Sequence, residues 1–378
     1  MIFIDWYLPA YKAGGPVKSV PNLVDNLKSN FDFDIITSDR DFGDESPFHE
    51  VELDNWLNFS SGVRIFYSSK VKAFSFYKKI ISENNYKFIY LNSLYSIKFS
   101  ILPLLISRLI GQKVILAPRG MLGKGALEIK KVKKLIFIST IKFLLLDKYV
   151  KWQATSFEEY LEIQSIFERS VISVVPNIPS SSVNFIKAKK KLKNELKLCF
   201  ISRISEKKNL LFALERLIEF DNNLQGEKSI NFDIYGPIED NLYWEKCKLL
   251  IDSTSWRFTK VSYNGFLKPD EISSALSNYH FLFLPTRNEN FGHIIYEAFC
   301  SRTPVIVSDQ TPWKSLKEKN IGLDFDLNDS YELFKMLNFF LKMDQDNYHK
   351  MEESVNNFIL EIDLIKQAVK KSQMLFAI

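Results

Sequence analysis

Leu196-Lys197-Leu198-Cys199-Phe200-Ile201 is a short, largely apolar run that opens a second series of strand-and-helix units in this chain. Behind it follow Phe232-Asp233-Ile234-Tyr235, Phe281-Leu282-Phe283-Leu284 and Val305-Ile306-Val307, separated by longer helical patterns. Brief apolar runs of this kind fit strands of a sheet buried on both faces. A first series precedes them: Ile2-Phe3-Ile4, a helix over Val17 to Leu27, then Phe33-Asp34-Ile35-Ile36, Phe88-Ile89-Tyr90-Leu91 and Val114-Ile115-Leu116-Ala117. Strand and helix in alternation imply parallel sheets covered by helices. The expected class is α/β, with two Rossmann-like, doubly wound domains at 1–178 and 196–359. Val174-Val175-Pro176-Asn177-Ile178-Pro179 and the lysine-rich stretch behind it read as a linker over 179–195, and a C-terminal helix over about 360–378 is free to pack back on the first domain. Ligands of open α/β sheets bind beyond the carboxyl ends of the strands, so the site is expected in a central cleft faced by both domains.

Length and composition agree with two cores. The 378 residues are about two and a half typical domains of roughly 150. With 46% hydrophobic and 25% charged residues, the chain is neither disordered nor fibrous. Fifty Lys and Arg against 45 Asp and Glu leave +5, short of the basic excess of a dedicated nucleic-acid binder, so no nucleic acid is expected. Cys199, Cys247 and Cys300 lie far apart and fit a reducing compartment. Met1-Ile2-Phe3-Ile4-Asp5 lacks a basic leader region, which points to the cytoplasm. The greasiest runs, Ile97 to Ile110 and Leu135 to Leu146, are broken by Lys98, Pro103, Arg108 and Lys142, too early for a membrane span.

The charge is unevenly placed. Residues 124–151 carry a net +6 and residues 187–197 a net +5, which leaves −6 for the remainder. On a helical wheel Ile129, Val132, Leu135, Ile136, Phe143 and Leu146 form one apolar stripe, expected to face the core. Phe137, Ile141, Leu144 and Leu145 share the other side with the lysines, a mixed face suited to an anionic membrane surface at the cytoplasmic side.

Several motifs bear on chemistry. Gly14 and Gly15, in Pro9-Ala10-Tyr11-Lys12-Ala13-Gly14-Gly15-Pro16, stand just before a helix and let backbone approach a diphosphate or a sugar. No G-x-G-x-x-G is present, and Gly120-Met121-Leu122-Gly123-Lys124-Gly125 runs into Ala126, so neither a dinucleotide fingerprint nor a P-loop is spelled. Asp-x-Asp pairs recur at four places and no histidine or cysteine has zinc spacing, so no metal is expected. The densest constellation is Leu284-Pro285-Thr286-Arg287-Asn288-Glu289-Asn290-Phe291-Gly292-His293-Ile294-Ile295-Tyr296-Glu297-Ala298, which closes a strand and opens a helix. Glu289 precedes the helix, Glu297 lies over a turn inside it, and the amides from Asn290 to Ile294 share the positive helix end. That spacing suits an anionic ligand with hydroxyl groups at both ends, such as a nucleotide-sugar.

With Glu289 and Glu297 as E-x7-E and Thr303-Pro304-Val305-Ile306-Val307-Ser308-Asp309-Gln310-Thr311-Pro312-Trp313 behind them, the segment from Pro285 to Trp313 closely resembles the retaining family 4 glycosyltransferases (glycosyl transferases group 1) of GT-B fold. Ser202-Arg203-Ile204-Ser205-Glu206-Lys207-Lys208-Asn209, Ile234-Tyr235-Gly236 and Val261-Ser262-Tyr263-Asn264-Gly265-Phe266-Leu267 are similar to that family in the same order. Gly14-Gly15, Thr37-Ser38-Asp39-Arg40-Asp41 and Pro118-Arg119-Gly120-Met121-Leu122 resemble its branch that builds bacterial surface polysaccharides. Ser202, Asn288 and Arg302 stand where the family usually has glycine.

The resemblance implies roles. Arg203 and Lys208 would neutralise the donor diphosphate and Glu289, with the amides of Phe291 and Gly292, would hold sugar hydroxyls. Glu297 would take the ribose, and backbone near Phe266 and Leu267 the base. On the acceptor side, Arg119, beside Gly120, would project toward acceptor and diphosphate. The implied reaction is metal-independent transfer with retention from a UDP- or GDP-sugar to a lipid-linked or oligosaccharide acceptor in O-antigen or capsule biosynthesis, with no protein nucleophile and no further cofactor. Two other readings fit the same residues: a nucleotide-sugar epimerase of the same two-domain shape, and a catalytically silent sugar-binding relative.

Overall fold

The computed structural model describes residues 1–69, 74–123, 126–127, 131–179 and 189–377. The chain divides into two compact units, Met1–Ser180 with Leu364–Ile378, and Ser181–Asp363.

Unit 1 runs β1 (Ile2–Phe3), α1 (Gly15–Leu27), β2 (Phe33–Ser38), β3 (Trp56–Ser60), β4 (Val63–Ser68), α2 (Phe74–Glu83), β5 (Ile89–Leu91), a π-helical turn (Ile97–Ile101), α3 (Leu102–Ile110), β6 (Val114–Leu116), α4 (Lys131–Phe143), α5 (Leu146–Tyr149), β7 (Lys151–Ala154), α6 (Phe157–Ile166) and β8 (Val171–Val174). Its eight strands order as β3-β4-β2-β1-β5-β6-β7-β8, parallel throughout except for the β3–β4 hairpin. Period-two alternation splits the buried side chains between two faces. Phe3, Ile36, Leu91, Leu116 and Trp152 build one core, and Ile2, Ile35, Tyr90 and Ile115 the other.

Unit 2 runs β9 (Glu195–Ile201), α7 (Leu210–Asn222), β10 (Ser229–Tyr235), α8 (Asn241–Ser253), β11 (Thr259–Tyr263), α9 (Ile272–Leu276), β12 (Phe281–Leu284), α10 (His293–Cys300), β13 (Val305–Ser308), β14 (Gly322–Phe325), α11 (Ser330–Lys342) and α12 (Gln345–Glu361). The sheet is all parallel in the order β11-β10-β9-β12-β13-β14. Every residue of β12 and β13 is buried, as their apolar runs Phe281-Leu282-Phe283-Leu284 and Val305-Ile306-Val307 demand, and the closing Ser308 places its hydroxyl on the Thr286 carbonyl. The last helix, α13 (Leu364–Ala377), belongs to unit 1, where Ala368, Leu375 and Phe376 join the core that α1 covers with Val20 and Val24.

The expected linker over 179–195 is corrected for the part that is described. Lys189 and Lys191 are buried in unit 2. Lys189 Nζ donates to Thr303 Oγ1 (2.6 Å) and to the carbonyls of Arg302 (3.2 Å) and Ser301 (3.4 Å). Lys191 Nζ donates to the carbonyls of Leu192, Met343 and Leu341. Carbonyl oxygens compensate the lost hydration of both ammoniums, and burial still lowers the Lys189 pKa to about 7 and that of Lys191 to about 8. The basic stretch 187–197 is thus in part interior.

The helical-wheel reading of 129–146 is corrected too. In α4 the buried residues are Ile138 and Ile141, whereas Val132 (71%), Leu135 (49%), Ile136 (63%) and Phe143 (86%) are exposed. These four lie within one continuous helix, so α4 buries a different face from the one the wheel selects; the left-handed Leu145 (φ 53°) separates only Leu146, which is buried from a separate helix, α5. Ile129 lies outside the described residues.

His280 opens the way to β12. Its Nδ1 accepts from the Lys197 amide and its Nε2 lies 3.0 Å from the Lys190 carbonyl, to which it donates, so the buried ring is held as one neutral tautomer. Burial lowers its pKa from 6.5 to about 4. A fold that accepts the neutral ring is fully stabilised above pH 6.5 and loses that contribution as pH falls toward about 4. The unfolding free energy from urea titrations should therefore fall between neutrality and mildly acid pH, by about 2 kcal/mol at pH ~5. The slope should flatten in His280→Asn; an unchanged slope in that variant would assign it to other groups.

Candidate functional site

In unit 2 the chain leaves β9 toward β10 and β11 on one side, and β12 toward β13 and β14 on the other. The order therefore reverses between β9 and β12, the place where open α/β sheets leave room for a ligand. The loop after β9 carries Arg203 and Lys208; the loop after β12 carries Glu289. Main chain and side chain lace the two loops together. Thr286 Oγ1 donates to the Lys207 carbonyl (3.1 Å), the Arg287 amide donates to the same oxygen (2.8 Å), and the Glu289 amide donates to the Gln310 carbonyl (2.9 Å). Ser308 Oγ reaches across to the Thr286 carbonyl.

This bracing sets the Lys208 ammonium directly on the Glu289 carboxylate, with the two side chains only 12% and 17% exposed. Burial pushes the Glu289 pKa up, but Lys208 and then Lys207 outweigh it, and the carboxyl ionises below its ordinary value. Gly292 caps α10 at φ 76°, where a Cβ would stand 2.8 Å from Ile295 Cδ1 and 3.3 Å from Glu289 Cγ, so a side chain there would disturb the carboxylate. Trp313 Nε1 holds the Phe291 carbonyl at 2.5 Å while its ring packs on Phe291 and Phe299. The buried Asn290 Nδ2 has no partner among the described residues. The His293 ring, at the first residue of α10, packs 4.8 Å from that of Phe291, Ile294 follows half-buried, and Glu297 sits half-buried one turn further in.

Arg203 pairs with Glu239 at 2.7 Å, each side chain a little over a quarter exposed. Beside it a Cβ on Gly236 (φ 144°) would come within 1.8 Å of the Ser202 carbonyl oxygen, so the β9 and β10 ends cross only over a glycine. The Gly236 amide donates to the Gly265 carbonyl at 2.7 Å, which fixes the turn after β11 that presents exposed Phe266 and half-buried Leu267.

In unit 1, Gly14 (φ 83°) precedes α1, which begins without a side-chain cap. The buried Asp41 carboxylate accepts from the amides of Tyr11 (2.8 Å), Lys12 (3.2 Å) and Phe42 (2.7 Å) and so sets the loop leading to Gly14 and Gly15. Arg119 (φ 55°) and Gly120 (φ 74°) form two consecutive left-handed residues. The buried Glu159 locks this turn: one oxygen accepts from the Gly120 amide, the other from the amide and hydroxyl of Thr155, each at 2.6 Å. The Arg119 guanidinium donates to Tyr90 Oη (2.8 Å), Asn92 Oδ1 (2.7 Å) and Asn177 Oδ1. The Arg119 guanidinium is thus anchored inside unit 1, where three neutral acceptors converge on it.

Residues 182–358 match the model of the family described as glycosyl transferases group 1. Unit 2 is a group 1 glycosyltransferase domain. The chain as a whole is similar to three solved structures that establish a GT-B fold. Sucrose-phosphate synthase from Thermosynechococcus elongatus has 14% identity and a TM-score of 0.71, covering 100% of this chain and 97% of the other. WaaG, a glycosyltransferase involved in lipopolysaccharide biosynthesis, has 11% identity and a TM-score of 0.66, covering 99% and 98%. Anabaena HepE in complex with UDP and glucose has 13% identity and a TM-score of 0.66, covering 98% and 99%. No curated protein matches the chain by sequence.

Within the group 1 domain, three supports of the site were not singled out from the sequence: Thr286 and Glu239, each visible only once its partner strand is known, and Trp313, seen only as part of the resembling segment. Of the three residues that replace family glycines, only Arg302 takes a left-handed conformation (φ 49°). Its backbone is held by the Lys189 ammonium on its carbonyl. Arg302→Gly should relieve about 0.5–1 kcal/mol of strain and raise the melting temperature by about 2 °C. A lowered melting temperature would show that the arginine side chain contributes more than its backbone costs.

Proposed function

We propose that this chain transfers a sugar, with retention and without a metal, from a UDP- or GDP-sugar to a lipid-linked glycan in surface-polysaccharide (O-antigen or capsule) biosynthesis, at the cytoplasmic face of a membrane. The observation that carries the donor half is the nearly buried Lys208–Glu289 pair at the point where the strand order of the group 1 domain reverses. Lys208 supplies a point charge and Arg203 a planar fork, the two cation types that suit a diphosphate. The Arg203–Glu239 pair is partly exposed and so contributes little, which makes it cheap to open when phosphate arrives. Glu289, already ionised, accepts hydrogen bonds from sugar hydroxyls beside the amides of Phe291 and Gly292, and Glu297 from the ribose; backbone at Phe266 and Leu267 takes the base. Fixed cations aimed at the departing nucleoside diphosphate lower the barrier by stabilising charge as it develops. In unit 1, Gly14 and Gly15 offer backbone amides to an anion, and the Glu159-locked turn at Arg119 and Gly120 serves the acceptor.

HepE with bound UDP and glucose, and WaaG with its part in lipopolysaccharide biosynthesis, support the choice of donor and pathway to test first. The exposed apolar and lysine side chains of α4 support the membrane surface. Among the described residues, no helix is long and apolar enough to cross a membrane. The test is nucleoside diphosphate release over UDP-, GDP- and dTDP-sugars, in EDTA, with and without a lipid pyrophosphate-linked glycan. Acceptor-dependent release with a UDP- or GDP-sugar is expected. Sugar isomerisation without acceptor would indicate an epimerase, and nucleotide binding without turnover a silent relative.

A further inference from the structure

An apolar cavity of about 310 Å³ lies in unit 1 between α3 and α4. Leu104 and Leu105 line it from α3, Ile136 and Phe137 from α4 and Leu144 just beyond, and Lys133 stands in the same wall; among the described residues the lining holds no carboxylate. Leu104 is buried, whereas Ile136 (63% exposed) and Leu144 (41%) form an open apolar rim. Val132, Leu135, Phe143 and Leu145 are further exposed apolar side chains on the same segment. Single exposed hydrophobics are ordinary, but six on one short segment, two of them lining a cavity, are not. Water finds few partners inside, because the hydroxyls of Ser100 and Thr140 already donate to the carbonyls of Ser93 and Ile136.

We propose that this cavity takes one acyl chain of an anionic phospholipid, with Lys133 and the exposed lysines beside it facing headgroup phosphates. The segment selects this occupant in two ways. Exposed Lys131, Lys133, Lys142 and Lys148 are spread along α4 and α5, a distribution that suits a sheet of phosphates better than a single one. The volume is roughly twice that of an apolar cavity that takes up benzene, room for on the order of ten chain carbons. The setting rests on the membrane-surface reading above, but the seating of a chain inside unit 1 does not follow from that reading.

The test uses the full chain and flotation with vesicles of phosphatidylcholine, alone or with about one third phosphatidylglycerol. Binding to the anionic vesicles should exceed binding to the neutral ones by about tenfold, and should fall about fivefold both in Leu105→Trp, which fills the cavity, and in Lys133→Glu, which reverses the charge at its wall. Because Leu105→Trp alters packing, a second measurement uses the wild-type chain: phosphatidylglycerol with a diazirine at the end of one acyl chain should leave adducts on Leu104, Leu105 or Phe137. Adducts confined to Val132, Leu135 and Phe143, or a Leu105→Trp chain that floats like wild type while Lys133→Glu does not, would mean surface docking over an empty cavity and overturn the proposal. So would a concentration-dependent dimer that covers the rim without vesicle binding. Nucleoside diphosphate release to water, followed in wild type and both variants, tests the transferase reading separately and should be equal in all three.

Discussion

Lys208→Met is expected to cut sugar transfer by about 10²–10³-fold and to destabilise the group 1 domain by about 2–3 kcal/mol. On the proposed function, the catalytic loss follows from removing a fixed cation aimed at charge that develops on the leaving diphosphate, for which single preorganised groups account for about 3–4 kcal/mol of barrier. The stability loss has a different origin: Glu289 is left as a nearly buried carboxylate without its closest cation. The two effects separate in a cycle with Glu289→Gln, which replaces the carboxylate by a neutral amide of similar shape. Lys208→Met in that background should restore much of the stability, because no unpaired charge remains, yet transfer should stay low, since cation and sugar-binding carboxylate are both gone. Denaturant midpoints and single-turnover rates on the four proteins measure both. Recovery of transfer in the double variant would make the pair a purely structural one.

Glu159→Ala carries the second large effect. Its side chain is 1% exposed and accepts from three donors, the amides of Gly120 and Thr155 and the Thr155 hydroxyl. Truncation strands all three, and buried donors without acceptors cost about 1–3 kcal/mol each before relaxation, so a loss of about 3–4 kcal/mol in unit 1 is expected. Two successive left-handed residues, Arg119 and Gly120, depend on that carboxylate, and their turn should relax when it goes. Amide hydrogen exchange should rise first at Gly120 and Thr155, ahead of the strands. Glu159→Gln keeps one acceptor oxygen but turns an NH₂ toward a donor, and should fall between the two. Exchange that rises uniformly across unit 1 would show that the turn has no stability of its own to lose.

The order of strands and helices was legible because a parallel sheet buried on both faces leaves short apolar runs that nothing else in the chain imitates. Five strands escaped notice, β3, β4, β7, β8 and β14, and each mixes polar with apolar residues. Edge strand β3, mostly exposed beyond Leu57, reads as loop, and β8 ran together with the proline-bearing stretch behind it. Glu289 was singled out by its spacing from Glu297, and Arg203 and Lys208 by the family resemblance; the structure brings Lys208 and Glu289 into direct contact. What sets them in place was not: Thr286 on the Lys207 carbonyl, Ser308 on the Thr286 carbonyl and Glu239 on Arg203 are contacts between strands that are neighbours in space and distant in sequence. Lysines misled most. Lys189 and Lys191 looked like surface charge because the sequence carries no sign that carbonyl groups of Ser301, Arg302, Leu341 and Met343 converge on them. The α4 wheel selected the wrong face: Val132, Leu135, Ile136 and Phe143 share one helix yet are exposed, the buried pair is Ile138 and Ile141, and the break at Leu145 detaches only Leu146.

Calorimetric titration with UDP and GDP, on wild type and Lys208→Met, tests the central claim most directly, since it asks whether a nucleoside diphosphate sits where the strand order of unit 2 reverses. One saturable site for at least one of the two nucleotides is predicted in the wild-type chain, independent of EDTA and weakened at least about tenfold by the substitution, which corresponds to 1.4 kcal/mol or more. Binding of equal strength in both proteins, or none to the wild type, would contradict it.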